Sequence, residues 1–349
     1  MNIKELKQVQ LFRQHLTNKA DPLIVAHDLC GIQCQFMVNA VHSFKIRCED
    51  DLQMECWQNE LVKNWSVRNT VHVFCKEDLP LFRYNDGKDN YLDSNWEDEY
   101  CQGRLWISGE RKRFFVDYIT KCVNQGIELR EELKEKCRAL GMTRGEELFI
   151  FDGWGGLLAP MCKRGYITYK VQEKKAFQTC PPYRPMDKID ARKEQMRRYL
   201  EHIAPATIND VAYFFKYSKR EVYELFKLLP IKSFVIGSKE LFYIGEIENN
   251  YPDIPKCIFL AGFDQLMMGY QKAESIYLKQ EFLRNIFNLA GIVMPGVLVN
   301  GEVIGKWRKK GKKLEIICFE AIDEQKRKNI LDEAEKLWHG DINSIMFTA

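Results

Sequence analysis

Three stretches of this chain repeat one order of elements, and that order limits the fold more than any single motif. Each runs through helix-period segments into a short β-branched or alternating run. In the first, Lys4–Leu16 reads as a helix, and Asp21-Pro22 supplies an N-cap and N1 pair for a second helix that Gly31 stops. Phe36–Ile46 carries apolar residues at helical spacing, Met54–Lys63 adds a further turn or two, and Ser66–Phe74 (SVRNTVHVF) alternates as a strand. The second stretch has Arg111–Asn124 and Glu128–Leu140 as helices. FDGWGGLLAPMCKRGYITYKV (Phe151–Val171) then passes from helix through a Gly165 turn into the strand Tyr166–Val171. After the linker CPPYRP, the third has Arg192–His202, a helix capped by Thr207, another capped by Ser218, and a two-stranded wing over Ser233–Ile244.

Helices followed by a wing predict three tandem winged helices, although no residue-level repeat links them. From Ile258 the texture changes. Ala290–Ile322 is strand-rich with turns at Pro295-Gly296, Asn300-Gly301 and Gly311, and Asn-Gly between alternating apolar residues marks a hairpin. Glu324–Trp338 closes the chain as an amphipathic helix. The expected fold class is mainly α with a small β component (α+β): winged helices over 1–105, 106–185 and 186–250, then a β-barrel-like domain with a terminal helix over 251–349. The acidic, Tyr/Asn-rich Tyr84–Tyr100 reads as an irregular insert.

A net charge of +3 excludes a global polycation, so contact with nucleic acid must come from charge gathered on one face. The densest gathering is KWRKKGKK, where Lys306, Arg308, Lys309, Lys310, Lys312 and Lys313 surround one Gly311 turn and Trp307. Such a hairpin tip suits phosphate contacts, with Trp307 packing beneath it or against a sugar or base. A solvated hairpin that serves solubility is the plain alternative.

Other chemistry is thinly represented. Twelve cysteines form no CxxC pair, six histidines show no HxxxH spacing, and GxxxxGK[ST] and HExxH motifs are missing. Nucleotide-dependent and zinc-protease readings are therefore disfavoured, and no metal is expected. Trp154 and its flanking glycines suit close packing rather than a phosphate cradle. His72, alternating with Val71 and Val73, and Asp264 in GFDQLMMG fit structural roles more readily than catalytic ones. A charged, polar start without a long apolar run points to reduced thiols in a cytoplasm, with no membrane partner.

Five pieces in order resemble the AlkZ/YcaQ-type bacterial DNA glycosylases, which excise alkylated bases, interstrand crosslinks included. They are Gly31–Gln35 (GIQCQ), matching a Gln-x-Gln signature; Leu61–Phe74, resembling an arginine…threonine-x-histidine strand; Ala204–Phe214; Ala261–Gly269 (AGFDQLMMG); and Pro295–Trp307. A sister branch carries an acid at the second motif position, where this chain has Gln35. The resemblance implies Gln33 and Gln35 as catalytic residues, Thr70 and His72 beside the active-site cleft, and duplex DNA containing alkylated purines as partner. It also implies a monomer without cofactor that hydrolyses the glycosidic bond to an abasic site and cuts no strand.

Amides suffice only for a special substrate. An N7-alkylguanine is cationic, so its glycosidic bond is already weakened and the base departs neutral without a general acid. What remains is to hold a water on the opposite sugar face, which two carboxamide oxygens can do. Residues i and i+2 do not share a helix face, so both glutamines can serve one water only if the link after Gly31 is extended. Two rivals stand beside this reading. One is a winged-helix transcriptional regulator that binds a specific sequence, the other an interaction module that binds no DNA.

Overall fold

The computed structural model describes residues 1–49, 59–83, 96–153 and 155–348. Of the helical turns expected over Met54–Lys63, residues 54–58 lie outside them, as do most of the Tyr84–Tyr100 insert and Trp154, and the end of that stretch is corrected, since Leu61–Lys63 belongs to a strand that pairs along its backbone. The chain folds as two compact units, Met1–Gln53 with Gln195–Ala349, and Met54–Glu194.

The first unit is organised around its N-terminal helix, Ile3–Arg13, which opens on an Asn2/Glu5 capping box. Leu6, Val9 and Leu11 are buried, but so are Lys7, Gln10 and Arg13. These polar side chains reach segments hundreds of positions away. Lys7 Nζ donates to the Gly301 carbonyl at 2.8 Å, and Gln10 Nε2 to that of Pro205 at 2.7 Å. Arg13 donates to Leu200 and Ile244 carbonyls at 3.0 and 3.1 Å. A helix that looks weakly amphipathic is therefore an internal spine whose buried polar ends satisfy loop backbone.

The second helix, Pro22–Asp28, begins where the sequence places it, with the Asp21 carboxylate accepting from Leu23 N. Its end is left-handed. Cys30 and Gly31 have φ of 55° and 86°, after which Ile32–Gln33 is extended and Met37–Lys45 resumes as helix. Only glycine takes that conformation without a Cβ penalty, so Gly31 ends one element and permits the next.

Further on, Thr207 and Ser218 form capping boxes for Ile208–Phe215 and Lys219–Phe226. An antiparallel hairpin of Lys232–Ile236 and Lys239–Tyr243 follows. The last part is a five-stranded sheet, ordered Cys257–Phe259, Gly296–Val299, Glu302–Lys310, Lys313–Cys318 and Ser344–Thr348. Asn300 and Gly301, with φ of 50° and 81°, make the anticipated two-residue turn. The sheet is open rather than closed into a barrel, because its first and last strands do not pair, and Glu324–Leu337 covers one face. That helix buries Ile330, Ala334 and Trp338 against Phe259, Val297 and Ile316. Nor does it end the chain, since Ser344–Thr348 adds a parallel edge strand.

In the second unit, strands Val71–Cys75, Leu61–Trp65, Ile167–Tyr169 and Phe177–Thr179 lie side by side in that order. The expected strand over Ser66–Phe74 is corrected here. Its first residues form a tight turn with Arg68 and Asn69 both at φ 58°, so pairing begins at Val71 and the partner is Leu61–Trp65. Helices Gly109–Asn124, Arg130–Ala139, Arg144–Ile150 and Leu158–Arg164 enclose a core of Phe115, Ile119, Leu133, Ile150, Met161 and Phe177. A small hairpin, Glu99–Cys101 with Arg104–Ile107, and the helix Arg144–Ile150 were not evident from periodicity.

Candidate active site

Gln33 lies at the end of the extended pair and is 4% exposed, whereas Gln35 stands in the following bend and is exposed. The segment is not a continuous helix: Ile32–Gln33 is extended and Gln35 lies in the bend before the next helix.

Its backing comes from a distant part of the same unit. Gln265 Nε2 donates to the Leu29 carbonyl at 3.1 Å, satisfying an orphan acceptor at the end of Pro22–Asp28. A Cβ on Gly262 would come within 2.9 Å of the Asn39 side chain, so the 261–264 loop lies flush against the helix that follows Gln35. Phe36 and Phe263 face each other with centroids 6.3 Å apart. Asp264 anchors this loop. It caps Gln265–Met268 by accepting from Leu266 N and forms a two-pronged pair with Arg47 at 2.7 and 3.0 Å, both side chains fully buried. Burial alone would raise the Asp264 carboxyl, but the Arg47 charge and hydrogen bonds hold it below the ordinary range. The GIQCQ and AGFDQLMMG motifs, more than 200 residues apart in the chain, thus form one structural support.

The basic hairpin has Lys310 paired with Lys313 across the Gly311-Lys312 turn. Lys309, Lys310, Lys312 and Lys313 are exposed and Lys306 half-buried. Arg308 is paired with Glu315 on the neighbouring strand, so its charge is already matched. Trp307 donates its indole N–H to the Leu260 carbonyl at 2.9 Å and packs 4.7 Å from His42 and 5.2 Å from Trp338. Of the two placements open to it, the ring takes the one beneath the hairpin. The tip presents cations without an aromatic surface.

Thr70 and His72 belong to the second unit. Thr70 donates its hydroxyl to the Val67 carbonyl at 3.2 Å, holding the turn. His72 is fully buried, with Nδ1 at 3.1 Å from the Thr70 carbonyl and Nε2 at 3.2 Å from Arg68. Nδ1–H therefore donates and Nε2 accepts. The enclosed imidazole has both nitrogens committed and holds the Arg68 side chain.

Burial pushes His72 down to about 3, and burial likewise pushes His42 down to about 4 while its Nε2 donates to Phe259 O at 2.7 Å. Both are neutral when folded, with pKa values below the unfolded imidazole's, so the unfolded chain takes up protons first. Stability is complete above pH ~6.5 and falls on acidification by up to about 1.4 kcal/mol per pH unit per histidine, down to each folded value. Unfolding free energies from urea titrations should therefore drop by several kcal/mol between pH 7 and pH 4. Midpoints independent of pH would show that these rings are not held neutral.

One group escapes any reading by spacing. His15, Asp28 and His202 converge, with ligand-type atoms within 4.8 Å of one another. Burial would raise the Asp28 carboxyl, but hydrogen bonds from His15 and His27 more than offset it and hold it below the usual range. Separations of 13 and 174 residues leave no local signal in the sequence. Among the described residues the cysteines are free thiols, and no helix is long and apolar enough to cross a membrane.

Comparison with known proteins places this geometry in context. A family model described as "DNA glycosylase AlkZ-like" matches residues 26–339. An "Interstrand DNA cross-link repair glycosylase" from Streptomyces sahachiroi is 23% identical over 334 residues, covering 88% of each chain. A solved structure, "Streptomyces sahachiroi DNA glycosylase AlkZ", superposes with a TM-score of 0.77 at 18% identity and 100% coverage of both chains. The two chains share a mixed fold of helices and sheets.

Proposed function

Because the chain belongs to the AlkZ-like DNA glycosylase family, it is a DNA-repair glycosylase. We propose that it hydrolyses the N-glycosidic bond of cationic N7-alkylguanine lesions in duplex DNA, interstrand crosslinks among them, and leaves an abasic site. The observation that carries the reading is the extended Ile32–Gln33 step after the left-handed Cys30-Gly31 end of a helix. It places a buried amide, Gln33, two residues before an exposed one, Gln35, on a non-helical link. A water drawn from solvent between them accepts orientation from two carboxamide oxygens and attacks the sugar carbon opposite the departing base. The base leaves neutral, so no acid is required; oxocarbenium character at the sugar is met by the same oxygens. The relative's name, a crosslink repair glycosylase, supports the crosslink part of this reading.

The domain plan belongs to the same proposal. Helix pairs followed by hairpins support winged helices over 1–105, 106–185 and 186–250, with the open sheet of 251–349 presenting Lys306, Lys309, Lys310, Lys312 and Lys313 to phosphates. The enzyme acts as a monomer on cytoplasmic DNA. Neutralising Lys309, Lys310, Lys312 and Lys313 together should weaken duplex binding and flatten its salt dependence, by about 0.9 in log–log slope for each phosphate that is no longer neutralised. An unchanged slope, measured by fluorescence anisotropy, would reject the hairpin's role.

Substrate choice tests the chemistry. Duplexes carrying N7-methylguanine and uracil should be distinguished, with base release from the first and none from the second. Release of uracil at a comparable rate would mean that a general acid operates here. A regulator instead would select one undamaged sequence and release no base.

A further inference from the structure

The cluster His15, Asp28 and His202 sits at the meeting of three segments of the first unit: the end of Ile3–Arg13, the last residue of Pro22–Asp28, and the last residue of Lys188–His202. His15 Nε2 lies 2.8 Å from Asp28 Oδ2, and His202 Nδ1 lies 3.3 Å from the same oxygen. The outer nitrogen of His15 meets an acceptor, while that of His202 stands beyond hydrogen-bond distance from its nearest carboxylate. His15 Nδ1 is 3.0 Å from the Asn18 carbonyl, and His202 Nε2 is 3.6 Å from Glu201 Oε2.

That arrangement has a specific chemical meaning. A neutral imidazole carries one N–H: on His15 either the Asn18 carbonyl takes it and leaves an Nε2 lone pair facing Asp28 Oδ2, or Nε2–H donates to that oxygen, and His202 Nδ1 faces the same oxygen. Lone pairs and a carboxylate oxygen repel unless a cation stands among them. The outer-nitrogen contact to a carbonyl or carboxylate is the orientation that metal-bound histidines adopt. The alternative occupant of each inner position is the ring's own proton, donated to Asp28 Oδ2.

Geometry allows the ion. Zinc–nitrogen and zinc–oxygen bonds near 2.0–2.2 Å give a tetrahedral edge of about 3.4 Å. The His202–Asp28 separation already approaches that value, and the His15–Asp28 contact reaches it by a side-chain shift of about 0.6 Å. His15 is held with φ of 60°, a left-handed backbone that a histidine seldom takes. His15 and Asp28 are buried, while His202 is half-buried.

We propose that His15, Asp28 and His202 bind one divalent ion of the zinc type, through His15 Nε2, His202 Nδ1 and Asp28 Oδ2, as a clasp joining three segments of the first unit. This goes beyond the base-excision reading and does not depend on it. His27, whose Nδ1 meets the other carboxylate oxygen at 2.9 Å, lies outside the set.

The test uses the full-length protein stripped with a chelator and titrated with Zn(II) by calorimetry, then with Co(II) by absorption spectroscopy. One equivalent should bind, with visible d–d bands and no intense thiolate charge-transfer band, and Zn(II) should raise the thermal midpoint in a saturable way. Asp28→Asn, which keeps the shape of the side chain, and the more accessible His202→Ala should each weaken binding at least tenfold, while His27→Ala should retain it. Failure of the wild-type protein to bind, a thiolate band, or unchanged affinity in His202→Ala would overturn the proposal. None of these readouts involves base excision.

Discussion

Replacing Asp264 by alanine is expected to destabilise the protein by about 3–5 kcal/mol, the cost of leaving a buried charge without its partner. Arg47 and Asp264 are both completely removed from water. Arg47 also donates to the Gln14 carbonyl at 3.0 Å and to the Ser43 carbonyl and hydroxyl at 3.1 and 2.9 Å. Asp264 accepts from the Ala261 and Leu266 amides at 3.3 and 3.0 Å. The alanine variant strands the guanidinium and frees two amides at once. A double change, Arg47→Met with Asp264→Leu, should recover part of the loss because it removes both buried charges. Urea unfolding at pH 7 measures the effect, and a single variant as stable as wild type would refute the account of this loop as an anchor.

The second large effect is catalytic. Gln33→Ala with Gln35→Ala should lower single-turnover excision of N7-methylguanine about a hundredfold or more, the scale set by loss of a positioned reactant. Affinity for duplex DNA should change little, because the basic hairpin is untouched. Gln35 is exposed whereas Gln33 is buried, so Gln35→Ala alone is the variant expected to fold like wild type, and the double variant's thermal midpoint is read beside its rate. Loss of rate together with an unchanged thermal midpoint and DNA affinity separates positioning of water from general damage to the fold. Equal loss of binding and rate would assign the glutamines to substrate docking instead.

Local chemistry made much of the fold legible. The Asp21-Pro22 start, the Gly31 stop, the Thr207 and Ser218 caps and the Asn300-Gly301 turn each follow from one or two residues whose backbone preference is strong. Long-range satisfaction of polar groups was not legible. Nothing near Lys7, Gln10 or Arg13 in the chain announces that these residues serve carbonyls of Gly301, Pro205 and Leu200. Trp307 looked suited either to core or to nucleic acid, and its contacts with Leu260, His42 and Trp338 came only with the folded sheet. The strand Leu61–Trp65 was hidden because its polar Lys63 and Asn64 are buried by pairing, not by hydrophobicity. At the site itself, the extended step at Ile32–Gln33 could be anticipated from Gly31. Its support by Gln265 and Gly262 could not, nor could the meeting of His15, Asp28 and His202.

The most direct test is excision itself. Wild-type protein is incubated with a duplex bearing a single N7-methylguanine, and the products are heated in alkali to cut abasic sites. Cleavage confined to the modified position, and dependent on the alkali step, is the predicted result. No cleavage above the protein-free background would contradict the claim that this chain removes cationic purines.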